Sequence, residues 1–202
     1  MSNAWRDQRV DLGVRPTPVT HDEDLGMWLK DDGCSAPVYG GNKPRKLEYI
    51  LHEAPRQVAT MGAMGSHHCL ATALHGVRFG HEVHVVTFPR PHSPHVEQVI
   101  ARTAAVARMH HMDDIDAAKA RLAELGRAGA LAVPAGGSSP RGALGFVRAG
   151  EELVQQVDMA GLPRPDVVVA AMGTAGTVDS KQASGSIFTA RTPISNVLRP
   201  RR

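Results

Sequence analysis

Two rhythms of apolar residues alternate along the chain, and the alternation predicts the architecture. From residue 57 onward, short apolar runs at a period of two are separated by longer stretches with apolar residues three and four apart. The runs 57–61, 82–88, 105–109 and 130–134 predict strands, with 82–88 (Val83, Val85, Val86) the clearest of them. The stretches 66–78, 93–104, 112–128 and 139–159 predict helices. Ser66, Ser93 and Ser139 stand at three of the helix starts, and Pro94 and Pro140 occupy the first helical positions, where a missing N–H costs nothing. Acids early (Asp113, Asp114, Asp116) and cations late (Lys119, Arg121, Arg127) orient the third of these helices with its dipole. Strands alternating with helices imply an α/β fold, a parallel sheet covered on both faces.

Upstream the pattern is weaker. Residues 5–24 are polar and irregular, with Arg15-Pro16-Thr17-Pro18 as an extended entry. A short strand is predicted at 25–30 and a turn at Asp31-Asp32-Gly33. A tight glycine turn then opens an amphipathic helix from about Lys43 to His52, its apolar face made by Leu47, Ile50 and Leu51. The most strand-like run of all is 166–171, with Val167, Val168 and Val169 in succession. Such a strand calls for neighbours on both sides, and the sequence beyond Thr177 supplies none.

Composition narrows the reading. Apolar residues make up 42% of the 202 and aromatics only 4%, so the core is built from Ala, Val, Leu and Met. No run approaches the roughly 18 consecutive apolar residues of a membrane helix, and no charged-then-apolar leader opens the chain. Two cysteines, Cys34 and Cys69, make no disulfide framework, so a reducing, cytoplasmic setting is expected. The net charge of +3 belongs to the end of the chain: residues 178–202 hold five Lys/Arg and one acid, and the other 177 residues sum to −1. A domain-wide basic footprint for nucleic acid is therefore absent.

Three stretches carry candidate chemistry. Lys43 sits at a helix mouth with Arg45 and Lys46 close behind, and nearby positive charge lowers the pKa of a lysine that must act as a nucleophile. A solvated lysine in a turn is the other reading. Gly173-Thr174-Ala175-Gly176-Thr177 follows the apolar run 166–171 and suits an anion held by successive backbone N–H groups, or else simply ends a strand. Gly62-Ala63-Met64-Gly65-Ser66-His67-His68 lies between a strand and a helix, where Ser66 serves as N-cap or faces a carboxylate together with His67. Eleven histidines include two adjacent pairs, but neighbours on a helix point about 100° apart, so His67 and His68 do not chelate one ion and no metal is expected.

Together these motifs resemble a known family. Trp28-Leu29-Lys30-Asp31-Asp32 followed by Gly40-Gly41-Asn42-Lys43-Pro44-Arg45-Lys46-Leu47-Glu48 is similar to the cofactor-lysine segment of the 1-aminocyclopropane-1-carboxylate deaminase and D-cysteine desulfhydrase family. Pro134 through Phe146 is similar to a second signature, and Gly62–His68 and Gly173–Thr177 match in order and placement. The resemblance spans about residues 14–177. It implies pyridoxal 5′-phosphate as cofactor, the tryptophan synthase β-like fold (fold type II), a small amino-acid substrate and a homodimer, with neither nucleic acid nor membrane as partner. Lys43 would carry the cofactor and then move protons, and Ser66 would face the substrate. Asn42 and His67 would lie at the cofactor, and Gly173, Thr174, Ala175, Gly176 and Thr177 would hold its phosphate. The reaction implied is ring-opening deamination of 1-aminocyclopropane-1-carboxylate or desulfhydration of D-cysteine, each giving a 2-oxo acid and ammonia. Another lyase of the same fold, cysteine synthase-like or threonine synthase-like, is the neighbouring alternative.

His67 stands where the family usually carries asparagine, and nothing in 178–202 matches the long continuation of family members. The expectation is a small α/β domain at 54–160, an incomplete cofactor-side domain from 5–53 with 161–177, and an irregular basic tail at 178–202. A truncated or frame-altered product is expected, with an inactive remnant or an unusual short variant as alternatives.

Overall fold

The computed structural model describes residues 4–14 and 16–170. Its centre is a four-stranded, all-parallel sheet made from β3 (Gln57–Ala63), β4 (Glu82–Phe88), β5 (Arg108–His111) and β6 (Leu131–Val133), in the order β5-β4-β3-β6. Preceding it are the hairpin strands β1 (Val19–Asp22) and β2 (Met27–Lys30) and the helix α1 (Asn42–Ile50). Between and after the sheet strands run α2 (His67–Arg78), α3 (Pro94–Ala104), α4 (Ile115–Arg127) and α5 (Pro140–Ala160).

Alternating side chains assign the two faces of the sheet. Val83 and Val85 of β4 pack with Cys69 and Ala73 of α2, and Val58 of β3 packs with Ala71 of α2 and Leu47 of α1. The intervening residues Ala59, Met61 and Val86 turn to the other face and meet Ala118 and Leu125 of α4. Both faces are therefore dry, as a parallel sheet requires. β3 is an interior strand, pairing Val58–Thr60 with Leu131–Val133 on one side and all seven of its residues with β4 on the other. No helix among the described residues is long and apolar enough to cross a membrane.

Local signals set the helix ends. Ser93 Oγ accepts from Val96 N at 3.2 Å and Ser139 Oγ from Gly142 N at 3.1 Å. Asp114 caps α4 by accepting from both Asp116 N and Ala117 N, which starts that helix at Ile115 rather than at Met112. β5 likewise falls at 108–111, later than expected, because Val106 packs under β4 and α2 while the following residues pair with His84–Thr87.

Three expectations are corrected. The stretch 5–24 is not wholly irregular: Val19–Asp22 pairs antiparallel with Met27–Lys30, bringing Val19 opposite Lys30. Among the described residues the run from 166 to 170 forms no strand, and Val167 and Val169 are exposed. A strand needs a neighbour for its backbone groups, and no described strand pairs with this one. Third, α1 has no solvated polar face, because every residue from Pro44 to Ile50 is buried. Its outer side is covered by α5, which approaches closely at Gly145. A Cβ there would overlap the carbonyl of Arg45.

Candidate active site

Gly41 ends the turn that delivers Lys43, with φ +99°, a conformation open to glycine. Its N–H donates to the Asp32 carbonyl at 2.7 Å, and its own carbonyl accepts from Ser35 Oγ at 2.7 Å. The backbone is thus held on both sides immediately before α1. Lys43 lies in the first turn of α1, half-buried, and its Nζ donates to Asn42 Oδ1 at 2.8 Å. Burial lowers the pKa of this amine.

The cause differs from the one expected. Arg45 is 2% exposed, and its side chain is committed to carboxylates. Its guanidinium donates to Asp32 Oδ1 from Nη2 at 2.9 Å, to Glu152 Oε2 from Nη1 at 2.9 Å and to Thr17 Oγ1 at 3.1 Å. Glu152, on α5, also accepts from Lys30 Nζ at 2.5 Å and from Thr17 N at 2.9 Å. Burial alone would raise the Glu152 pKa, but the hydrogen bonds from Arg45, Lys30 and the Thr17 N–H overcome it and hold the carboxyl at about 2. Asp32 is the hinge of this arrangement, since its carboxylate takes Arg45 while its carbonyl holds Gly41 N. Nothing in the sequence marks Glu152, 107 residues from Arg45, as different from a solvated helix acid.

Lys46 follows a different course. Its Nζ donates to the Gly136 carbonyl at 3.1 Å and lies 5.8 Å from the Phe146 ring centroid. Burial, with the charge of Lys43, brings its pKa down to about 8. Beside it, His68 is buried against β3. Thr60 Oγ1 gives its single hydrogen to the Val133 carbonyl, so His68 Nε2 donates to Thr60 Oγ1 at 2.9 Å. His68 Nδ1 is then a buried acceptor without a hydrogen-bond partner among the described residues. Burial, with the charges of Lys43 and Lys46, pushes the His68 pKa to about 3 and keeps the ring neutral.

The start of α2 faces the same region. Ser66 Oγ accepts from Cys69 N at 3.4 Å, a long capping bond. Cys69 is buried and its thiol is pushed up to about 12, which rules it out as a thiolate nucleophile at neutral pH. His67 is exposed and joins a chain of three side chains. Its Nδ1 hydrogen-bonds Tyr39 OH, and its Nε2 lies 2.9 Å from His95 Nε2 of α3. Burial, then His95 and nearby cations (Arg102, Lys43 and Arg90), lowers its pKa. No sequence signal connected His95 or Tyr39 to His67. Of the predicted site residues, Asn42, Lys43, Ser66 and His67 are thus described, while Gly173, Thr174, Ala175, Gly176 and Thr177 lie outside the described residues.

The profile of the family described as pyridoxal-phosphate dependent enzyme matches residues 10–179. The chain belongs to that family. A putative 1-aminocyclopropane-1-carboxylate deaminase of Thermotoga maritima is 29% identical over 208 residues, covering 94% of this chain and 65% of the relative. A D-cysteine desulfhydrase of Salmonella typhi is 31% identical, over 85% of this chain and 58% of the relative. The nocardicin C-9′ epimerase of Nocardia uniformis is 33% identical, over 78% and 53%. Among solved structures, an ACC deaminase homologue superposes with a TM-score of 0.74 at 28% identity, covering 88% of this chain and 58% of the other. Maize serine racemase, at 16% identity and a TM-score of 0.70, shares the fold. This α/β chain thus has the fold of type II pyridoxal-phosphate enzymes, and it spans 53–65% of the length of these curated relatives.

Pyridoxal phosphate, the cofactor of the family, fits the residues present. An aldehyde needs a primary amine that can lose its proton, and Lys43 is half-buried, lowered in pKa and, among the described residues, bonded only to the neutral Asn42 amide. Close by is the neutral His68 ring with an unpartnered acceptor, and no carboxylate reaches Lys43 among the described residues.

Proposed function

We propose that this chain carries the cofactor-lysine side of a pyridoxal-phosphate deaminase or lyase acting on a small amino acid. The observation that carries the reading is Lys43: a burial-lowered amine at the first turn of a helix whose backbone entry is clamped by Asp32 and Ser35. When bound, the cofactor supplies an electron sink for bonds broken at the amino-acid α-carbon. Lys43 would hold the cofactor aldehyde and afterwards take up and return a proton at Nζ. Asn42 Oδ1 orients that amine. Ser66 and the first N–H groups of α2 would face the substrate carboxylate. His67, held by Tyr39 and His95, would border the cofactor. Gly173 through Thr177 would hold the phosphate. The names of the relatives favour ring-opening deamination of 1-aminocyclopropane-1-carboxylate or desulfhydration of D-cysteine.

The reading includes a cofactor-side unit of 5–53 with 161–177 beside a smaller unit of 54–160, a homodimer, and a cytoplasmic setting consistent with two free cysteines. A second reading, a remnant without activity, is favoured by Val167 and Val169, which are exposed and have no strand partner among the described residues. The test is direct. Adding pyridoxal phosphate to the full chain should produce a visible absorption band. Borohydride should fix the label on Lys43, and Lys43→Ala should show neither. No band at saturating cofactor sinks the enzyme reading of this chain. Ammonia released from none of D-cysteine, 1-aminocyclopropane-1-carboxylate and L-serine sinks the substrate class.

A further inference from the structure

Three side chains from three parts of the chain meet at the start of α2 in one line of hydrogen bonds. His67 Nδ1 hydrogen-bonds Tyr39 OH, and His67 Nε2 lies 2.9 Å from Nε2 of His95 on α3. Both ring nitrogens of His67 are therefore engaged. Tyr39 is itself held in place. Its carbonyl accepts from His75 Nε2 of α2 at 3.1 Å, and Arg102 of α3 lies over its ring, 5.7 Å from the centroid. Tyr39 OH has no other hydrogen-bond partner among the described residues.

A neutral imidazole carries one hydrogen, so it donates from one nitrogen and accepts at the other. Between two facing Nε2 atoms only one hydrogen fits, and one of the rings has to accept. A proton added to the pair keeps the contact only if it leaves that acceptor bare. The surroundings choose the acceptor. Besides Tyr39 and His95, His67 meets Arg102 of α3, Lys43 of α1 and Arg90 of the loop before α3. Each of these elements brings a cation or a base, so charge on His67 is opposed from all of them, whereas His95 is exposed. A ring that stays neutral and accepts at Nε2 has its single hydrogen on Nδ1.

We propose that His95 is a positioning residue that fixes the tautomer of His67: His95 Nε2–H donates to His67 Nε2, and His67 Nδ1–H donates to Tyr39 OH. The hydrogens then all point one way along the line, from His95 to Tyr39. Tyr39 OH, already accepting, keeps its own hydrogen to donate. The assignment deepens the reading of His67 as a residue bordering the cofactor, and rests on that reading for its functional meaning: Tyr39 would offer a hydrogen, and not a lone pair, to the carboxylate of an amino-acid substrate. The line of hydrogen bonds itself exists in the chain without cofactor.

Long-range proton–nitrogen NMR correlation on the cofactor-free full chain, labelled with nitrogen-15 histidine, reads each ring nitrogen as protonated or bare. The His67 signals are those lost in His67→Asn. At neutral pH His67 should show a protonated Nδ1 and a bare Nε2. His95→Phe keeps a ring but removes the donor; His67 should then become a mixture of tautomers and take up its proton about 0.5–1 pH unit higher. His95→Gln keeps an N–H donor and should restore the Nδ1–H tautomer, which a ring needed only for packing would not allow. Tyr39→Phe should leave the tautomer in place, because the donor from His95 remains. An Nε2–H tautomer or an even mixture in the unaltered chain overturns the proposal. So does a His67 ring that ignores His95→Phe, or one that His95→Gln fails to restore. If the variants do not fold, as judged by circular dichroism, the spectrum of the unaltered chain alone decides. Failure to bind pyridoxal phosphate with this pattern intact would overturn the proposed function and leave the tautomer assignment standing.

Discussion

Replacing Glu152 tests whether the Arg45 network holds α1 in place. The carboxylate collects Thr17 N at 2.9 Å, Lys30 Nζ at 2.5 Å and both terminal nitrogens of Arg45 at 2.9 and 3.1 Å, and its side chain is 13% exposed. Glu152→Gln keeps the shape and removes the charge. Breaking a buried pair from one side costs about 3–5 kcal/mol; the low end applies because Asp32 still faces Arg45. Linkage gives a similar size. The Glu152 pKa falls from 4.5 to about 2 on folding, and at about 1.4 kcal/mol per unit this corresponds to about 3 kcal/mol. The sign follows from a depressed carboxylate: the stability is fully present above pH 4.5 and is lost as pH falls toward 2. Urea unfolding followed by circular dichroism and by the fluorescence of Trp5 and Trp28 reads both effects. Glu152→Gln should lose about 3 kcal/mol at pH 7, and its stability should fall less steeply than that of the unaltered chain between pH 4.5 and 2. A loss under about 1 kcal/mol at pH 7, the size of a surface pair, would refute the reasoning.

Two other outcomes follow from packing and burial. Gly145→Ala drives a methyl group into the Arg45 carbonyl and should cost about 2–3 kcal/mol, seen as a lowered melting temperature; an unchanged melting temperature would mean that α1 and α5 are not in contact. A thiol-reactive chromogen should titrate one group, Cys34, in the native chain and a second, Cys69, only after unfolding, because Cys34 is exposed while Cys69 is buried with its thiol pushed up to about 12.

Local chemistry determined much of this protein from the sequence alone. Ser93, Ser139 and the prolines behind them start their helices where the sequence predicts, because a cap acts on N–H groups two or three residues away. The period of Val83, Val85 and Val86 was enough to place β4 between two covering layers, since side chains of a strand alternate whatever lies around it. The glycine turn and Lys43 at the mouth of α1 were legible for the same reason.

Tertiary structure decided the rest. The sequence presents Arg45 and Lys46 as two equivalent cations beside Lys43. The fold turns Arg45 toward acids 13 and 107 residues distant and leaves Lys46 with a carbonyl and a ring. The valines after residue 166 show the converse: strand-forming side chains make a strand only where a partner accepts their backbone, and among the described residues these have none. Charge and strand pairing depend on what the chain brings from far away, and a local pattern carries no record of that.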